Sequence, residues 1–172
     1  NDFNPQSRMG SSLTGDSGAN TLVGSPNNDT ISGNAGNDSI DAAAGNDSID
    51  AGDGNDSVNG RAGNDTILGG NGNDGLGGFD YTGNDWLDGG AGDDTLTPGG
   101  GDNTLIGGLG MNFLYGGPGA NLIDGSQGNS DRLLYTFNTD GVDVNLTLGR
   151  AIGPGGNIET LIGIERVYGG QG

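Results

Sequence analysis

Apolar side chains are sparse along this chain and evenly spaced. From Leu22 a single aliphatic residue recurs every nine positions, at Ile31, Ile40, Ile49, Val58, Ile67 and Leu76. After one longer step it returns at Leu87, Leu96, Leu105, Leu114 and Ile123, and Leu133 closes the series. Nine is the period of neither a helix nor a hairpin. The residues between are mostly Gly, Asn, Asp and Ser, as in Gly33-Asn-Ala-Gly-Asn-Asp38-Ser-Ile40-Asp and Ala42-Ala-Ala-Gly-Asn-Asp47-Ser-Ile49-Asp. Each row therefore reads as a glycine-rich turn followed by a short strand whose central residue faces inward, because alternate strand residues face opposite ways. Two rows make one coil of a parallel β solenoid. The inward aliphatics stack as a thin core, and residues two rows apart lie one above the other on the same edge.

The polar position two residues before each inward aliphatic is equally regular. It is Asp29, Asp38, Asp47, Asp56, Asp65 and Asp74, then Asp85 after a row lengthened by two residues at Tyr81 and Thr82, then Asp94. Beyond that it turns to Asn103, Asn112 and Asn121, and the first row has Asn20. One edge of the solenoid would carry Asp29, Asp47, Asp65 and Asp85, and the other Asp38, Asp56, Asp74 and Asp94. Carboxylates about 5 Å apart repel by roughly 3 kcal/mol at an effective dielectric near 20. Summed over the neighbouring pairs, this reaches on the order of 20 kcal/mol, more than the roughly 5–15 kcal/mol by which domains are stable. The ion-free coil is not expected to form at neutral pH. A divalent cation between the carboxylates reverses the sign, and oxygen-only ligands in an irregular turn suit Ca²⁺ better than Mg²⁺.

These rows resemble the repeats-in-toxin (RTX) hemolysin-type nonapeptide G-G-x-G-x-D-x-U-x over residues 15–133. The resemblance implies an all-β fold, a right-handed parallel β-roll with a short β-strand spacer at its C-terminal end. It also implies that each Ca²⁺ sits between successive turns on one edge, held by Asp side chains and turn carbonyls. The implied metal ligands are Asp29, Asp38, Asp47, Asp56, Asp65, Asp74, Asp85 and Asp94. With them come the carbonyls of Gly33, Ala35, Gly36, Ala42, Ala44, Gly45, Ala51, Asp53, Gly54, Gly60, Ala62, Gly63, Gly69, Asn71 and Gly72. About four to six ions are expected: the pairs Asp29/Asp47, Asp47/Asp65, Asp38/Asp56 and Asp56/Asp74 match the pattern, whereas at Asp65/Asp85 and Asp74/Asp94 the two extra residues alter the spacing to twenty. Few or none are expected between the Asn rows, where neutral amides can stack without charge.

Composition narrows the chemistry further. The 172 residues include 41 Gly and 23 acidic against 5 basic residues, a formal charge of −18, with no Cys and no His. Disulfides, haem, typical zinc sites and Ser-His or Cys-His nucleophiles are excluded. Five scattered arginines on so acidic a surface make nucleic acid a poor partner, and no apolar run is long enough to span a bilayer as a helix. Glu159 and Glu165, the only glutamates, make a weak catalytic pair and read as solvated edge residues, so no enzyme is expected within this chain.

Residues 1–14 read as a linker or N-terminal arm and 15–134 as the calcium-binding roll. The stretch 135–168 reads as a spacer packing on the roll, and 169–172 as the start of a further repeat in a fragment or processed chain. In the spacer, Gly141–Leu148 and Ile158–Tyr168 alternate as longer strands around a loop at Gly149–Asn157. Outward positions become apolar towards the C-terminal half, at Trp86, Ile106, Phe113, Tyr115 and Leu122. Either the trailing segment folds back over them or they form a contact surface for a neighbouring copy or another chain. The expected role is a non-catalytic module of a secreted or cell-surface bacterial protein that folds on binding Ca²⁺. The alternatives are a self-assembling extracellular structural protein and a carbohydrate-binding spacer stacking sugars on Phe79, Tyr81 and Trp86.

Overall fold

A computed structural model describes residues 10–80, 83–128, 130–135, 142–153 and 156–169. Residues 1–9 of the expected arm 1–14, the inserted Tyr81 and Thr82, and the end at 170–172 lie outside the described residues; the arm's last residues, Ser12–Thr14, form a strand of the roll, paired with Thr30–Ser32. The chain winds between two facing sheets. The first contains β1 (Ser12–Thr14), β3 (Thr30–Ser32), β5 (Ser48–Asp53), β7 (Thr66–Asn71), β9 (Trp86–Ala91), β11 (Thr104–Ile106) and β13 (Leu122–Asp124). The second contains β2 (Thr21–Val23), β4 (Ser39–Asp41), β6 (Ser57–Asn59), β8 (Gly75–Asp80), β10 (Thr95–Gly99), β12 (Phe113–Tyr115) and β14 (Arg132–Tyr135). All these strands pair in parallel with the next strand of their sheet, as in Ile31 against Ile49 and Ile40 against Val58. Every coil is thus two rows, and the fold is an all-strand β-roll.

The core is the single file that the period of nine specifies. Ile31, Ile40, Ile49, Val58, Ile67, Leu76, Leu87, Leu96, Leu105, Leu114, Ile123 and Leu133 are each at most 2 % exposed. Leu22, in the second strand from the end, is only partly buried. Ala42 and Ala51 join the file because a methyl at the first position of their rows also points inward.

The longer row does not break the stack. Thr66, Ile67 and Leu68 pair with Trp86, Leu87 and Asp88, while the pairing of β8 with β10 shifts register between Thr97 and Gly99.

The C-terminal segment departs from the expected layout. Its described residues continue the coil and do not fold back over the outward apolar residues. β17 (Ile158–Ile162) pairs in parallel with β13, and β18 (Arg166–Gly169) pairs in parallel with β14. Of the expected strand Gly141–Leu148 only β15 (Asp143–Asn145) forms. Within the expected loop, Arg150–Ile152 is strand β16, antiparallel to both β15 and β17. The cause is the reversal at Gly149, whose φ of 61° and N–H bond to Leu146 O turn the chain back at once and leave Leu146 and Leu148 exposed. Phe137 and Gly141 lie outside the described residues.

Candidate metal centre

The eight expected aspartates line the two edges where strands meet turns, and all are at most 3 % exposed. They form two ladders with one repeating contact. The N–H of each Asp donates to Oδ1 of the Asp one coil on: Asp29 to Asp47 at 2.7 Å, Asp38 to Asp56 at 2.7 Å, Asp47 to Asp65 at 2.9 Å and Asp56 to Asp74 at 2.8 Å. The pairs across the longer row follow the same rule, Asp65 to Asp85 at 2.9 Å and Asp74 to Asp94 at 2.8 Å. The hydrogen-bond ladder thus keeps its geometry across a spacing of twenty residues.

The second oxygen behaves differently. Oδ2 of Asp38, Asp47, Asp56, Asp74 and Asp94 is buried and receives no hydrogen bond. A buried anionic oxygen without a donor is costly, and it calls for a proton or a cation. Its surroundings are further oxygens. A β-carbon at Gly69 would stand 2.6 Å from Asp74 Oδ2 and 2.5 Å from Gly89 O, so Gly keeps a cradle open between a carboxylate and a carbonyl of the next coil. Ala42 O and Ala51 O stand in the same way beside Gly24 and Gly33, next to Asp29 and Asp38.

The implied carbonyls fall into three groups. Those at the first turn position, Gly33, Ala42 and Ala51, face the row one coil earlier, and Gly60 and Gly69 begin the following rows at equivalent points. At the third position, Asp53 O, Ala62 O and Asn71 O accept the N–H of Gly36, Gly45 and Gly54, so one lone pair is committed to the backbone ladder; Ala35 and Ala44 bridge to Asp53 and Ala62. At the fourth, Gly36, Gly45, Gly54, Gly63 and Gly72 all have left-handed φ, and each of Gly36 O, Gly45 O and Gly54 O abuts the equivalent glycine of the next coil.

Burial sets the acidity of the ladder. It pushes Asp47 and Asp74 up to about 6 and Asp94 to about 7, and the carboxylates stacked above and below add to the effect. Burial raises Asp56 as well. At Asp29 burial opposes ionisation, but donors from Ser11 and Ser25 outweigh it and the group ends below the usual range. The donor set is oxygen only, two carboxylates per step plus carbonyls, and among the described residues no three acidic side chains converge on a point. The cradles fit a hard cation that completes its shell from the backbone.

The asparagine rows occupy the same edges and satisfy themselves. Asn103 Oδ1 accepts the N–H of Asp85 at 2.7 Å and Asn112 Oδ1 that of Asp94 at 2.9 Å, which continues both ladders. Their Nδ2 groups then donate to turn carbonyls: Asn103 to Gly101 O at 3.2 Å and Asn121 to Gly117 O at 3.2 Å. The amide nitrogen stands where the carboxylates present a bare oxygen.

A family model described as RTX calcium-binding nonapeptide repeat matches the chain in four copies, over residues 14–49, 43–76, 79–105 and 97–130. The chain belongs to this family. RTX nonapeptide repeats bind calcium, and in this chain they form a β-roll. No curated protein matches the chain.

Two acidic residues were misjudged or missed in the sequence. Glu159 is not solvated: it is 1 % exposed, continues the first-sheet ladder above Asn121, accepts Asn121 Nδ2 at 3.0 Å and is hydrogen-bonded to the Tyr135 hydroxyl. Burial holds its pKa up. Glu165, in contrast, is exposed. Asp131 is fully buried and continues the second-sheet ladder, accepting the N–H of Asn112 at 2.7 Å. The step from Asn121 to Asp131 is ten, which hid it, although it stands two residues before Leu133 as every other ladder residue stands before its aliphatic.

The outward apolar residues divide between two faces. Trp86, Ile106 and Leu122 belong to the first sheet and Phe113 and Tyr115 to the second, where Arg132 stacks 5.1 Å from the centre of the Phe113 ring. Phe79 lies on β8 in the second sheet with its ring against Gly77, and Trp86 begins β9 in the first, so these two share no stacking platform; Tyr81 lies outside the described residues.

Proposed function

We propose that the chain is a calcium-driven folding module, the non-catalytic part of a secreted or cell-surface bacterial protein, whose roll assembles when Ca²⁺ enters the Asp ladders. The observation that carries this reading is the row of buried Asp Oδ2 atoms without donors beside turn carbonyls. Calcium binds the folded coil and not the open chain, so occupancy converts directly into folding free energy. Scarce calcium inside a cell keeps such a chain open, and abundant calcium outside closes it. The ligands are Asp29, Asp38, Asp47, Asp56, Asp65, Asp74, Asp85 and Asp94 with the turn carbonyls facing them, and about four to six ions fill the ladders.

The test is circular dichroism with light scattering during a calcium titration, with magnesium as control. Strand signal is expected to rise cooperatively with calcium alone at constant particle mass. Full strand signal in chelator at neutral pH would refute the mechanism. Exposed Trp86, Leu122 and Ile162 on one face favour a second reading, a structural protein that buries this face against another copy. Growth in mass together with the strand signal would select it.

A further inference from the structure

The last coil holds a feature that the regular rows lack. Its turn is one residue longer than in the regular rows, and Ser130, just before Asp131, has a φ of 72°. A β-carbon at Gly128 would meet Asp131 Oδ2 at 2.6 Å, Gly110 O at 2.7 Å and Asp131 Oδ1 at 2.8 Å, and one at Gly125 would meet Oδ2 at 2.5 Å. At the other described fourth-position glycines the ladder Asp or Asn of the same row is not among the nearest atoms; the carboxylates that approach there, Asp93 at Gly110 and Asp102 at Gly119, belong to the neighbouring coil and not to the ladder. Asp131 is fully buried, and its Oδ2 has no hydrogen-bond donor. Above it, Glu165 Oε2 accepts the Asp131 N–H at 2.8 Å, the same relation that links successive ladder aspartates. Glu165 sits in the short turn that delivers β18 to its pairing with β14.

The opposite edge of the same coil is closed. Both oxygens of Glu159 are engaged, one by Asn121 and one by Tyr135. Among the described residues of this coil, the open oxygen cradle therefore lies on the second-sheet edge.

We propose that Asp131, with the Gly110 carbonyl below and Glu165 above, forms an additional calcium site that fastens β18 to the roll. The proposal rests on the calcium reading of the ladders and extends it past the asparagine rows, into a row of irregular length. Beneath the site Asn112 is neutral, so this ion is separated from the main ladder and should fill independently of it. Its role is to pin the C-terminal strands, where the six-residue turn of the regular rows is replaced by Gly163, Ile164 and Glu165.

Calorimetric calcium stoichiometry and hydrogen exchange on the whole chain test this, comparing wild type with Asp131→Asn and, separately, Glu165→Gln. Asp131→Asn is expected to bind about one ion fewer, and to lose calcium-dependent protection of 158–169 while 29–96 stays protected. Glu165→Gln changes an exposed side chain and should not impair folding. It is expected to raise the calcium needed to protect 158–169 by roughly tenfold. Unchanged stoichiometry in Asp131→Asn with unchanged protection in both variants would overturn this site and leave the ladders standing. A wild type that binds no calcium would overturn both.

Discussion

At Asp47 and at Asn112 the backbone makes the same turn, and a single atom decides whether an ion is needed. Both side chains accept an N–H from the previous coil through Oδ1. Asn112 then points an N–H₂ towards Gly108 O at 3.5 Å, and Asp47 leaves a bare Oδ2. Asp47→Asn is therefore expected to lessen repulsion within the ion-free roll and to gain a donor, a difference of about 1 kcal/mol. It also removes a ligand from two steps of the ladder. The variant should show more strand in chelator than wild type, and its calcium midpoint should rise roughly tenfold. Circular dichroism across a calcium titration reads both effects; less strand in chelator than wild type would contradict the account. The aspartates were legible because each stands two residues before an aliphatic in an unbroken step of nine. Asp131 obeys the same local rule but was hidden by one added residue. Glu159 could not have been placed, because its burial depends on Tyr135, distant in sequence and brought near only by the last turn of the coil.

Each strand from β3 to β14 contributes one large aliphatic side chain to the interior file, so no neighbour can compensate for its loss. Ile67 is fully buried between Ile49 and Leu87. Ile67→Ala is expected to destabilise the calcium-loaded roll by about 2–5 kcal/mol, whereas Leu68→Ala, on the outer face, should change stability by less than about 0.5 kcal/mol. Urea melts at fixed saturating calcium measure the difference, and equal losses would mean that the file of aliphatics is not the core. This level of the fold was the most readable in advance: a period of nine specifies turn, strand, facing and register together. β16 escaped for the opposite reason. Arg150–Ile152 carries little strand pattern of its own, and it pairs only because Gly149 returns the chain onto β15 within a few residues.

For the molecule as a whole, protons and calcium compete for the same oxygens. Burial raises Asp47 and Asp74 to about 6 and Asp94 to about 7, above the value near 4 of an unfolded carboxyl. The folded state thus binds protons more tightly, and stability falls as pH rises from about 4 through 6–7. Without calcium the roll is expected to gain strand as the solution is acidified from pH 8 to about pH 4.5, and to lose it again on neutralisation. Circular dichroism in chelator follows this directly. A chain equally unfolded at both pH values would show that neutralising the ladder is not sufficient for folding.

The row that carries two extra residues has a consequence at this same scale. Trp86 still sits beside Thr66, and Asp85 still receives the N–H of Asp65, although the loop between them is longer. A coil of twenty residues advances the axis by the same single strand spacing, about 4.8 Å, as a coil of eighteen. The rod measures its length by counting rows, whatever number of residues each row spends, and sequence added near position 80 does not extend its reach.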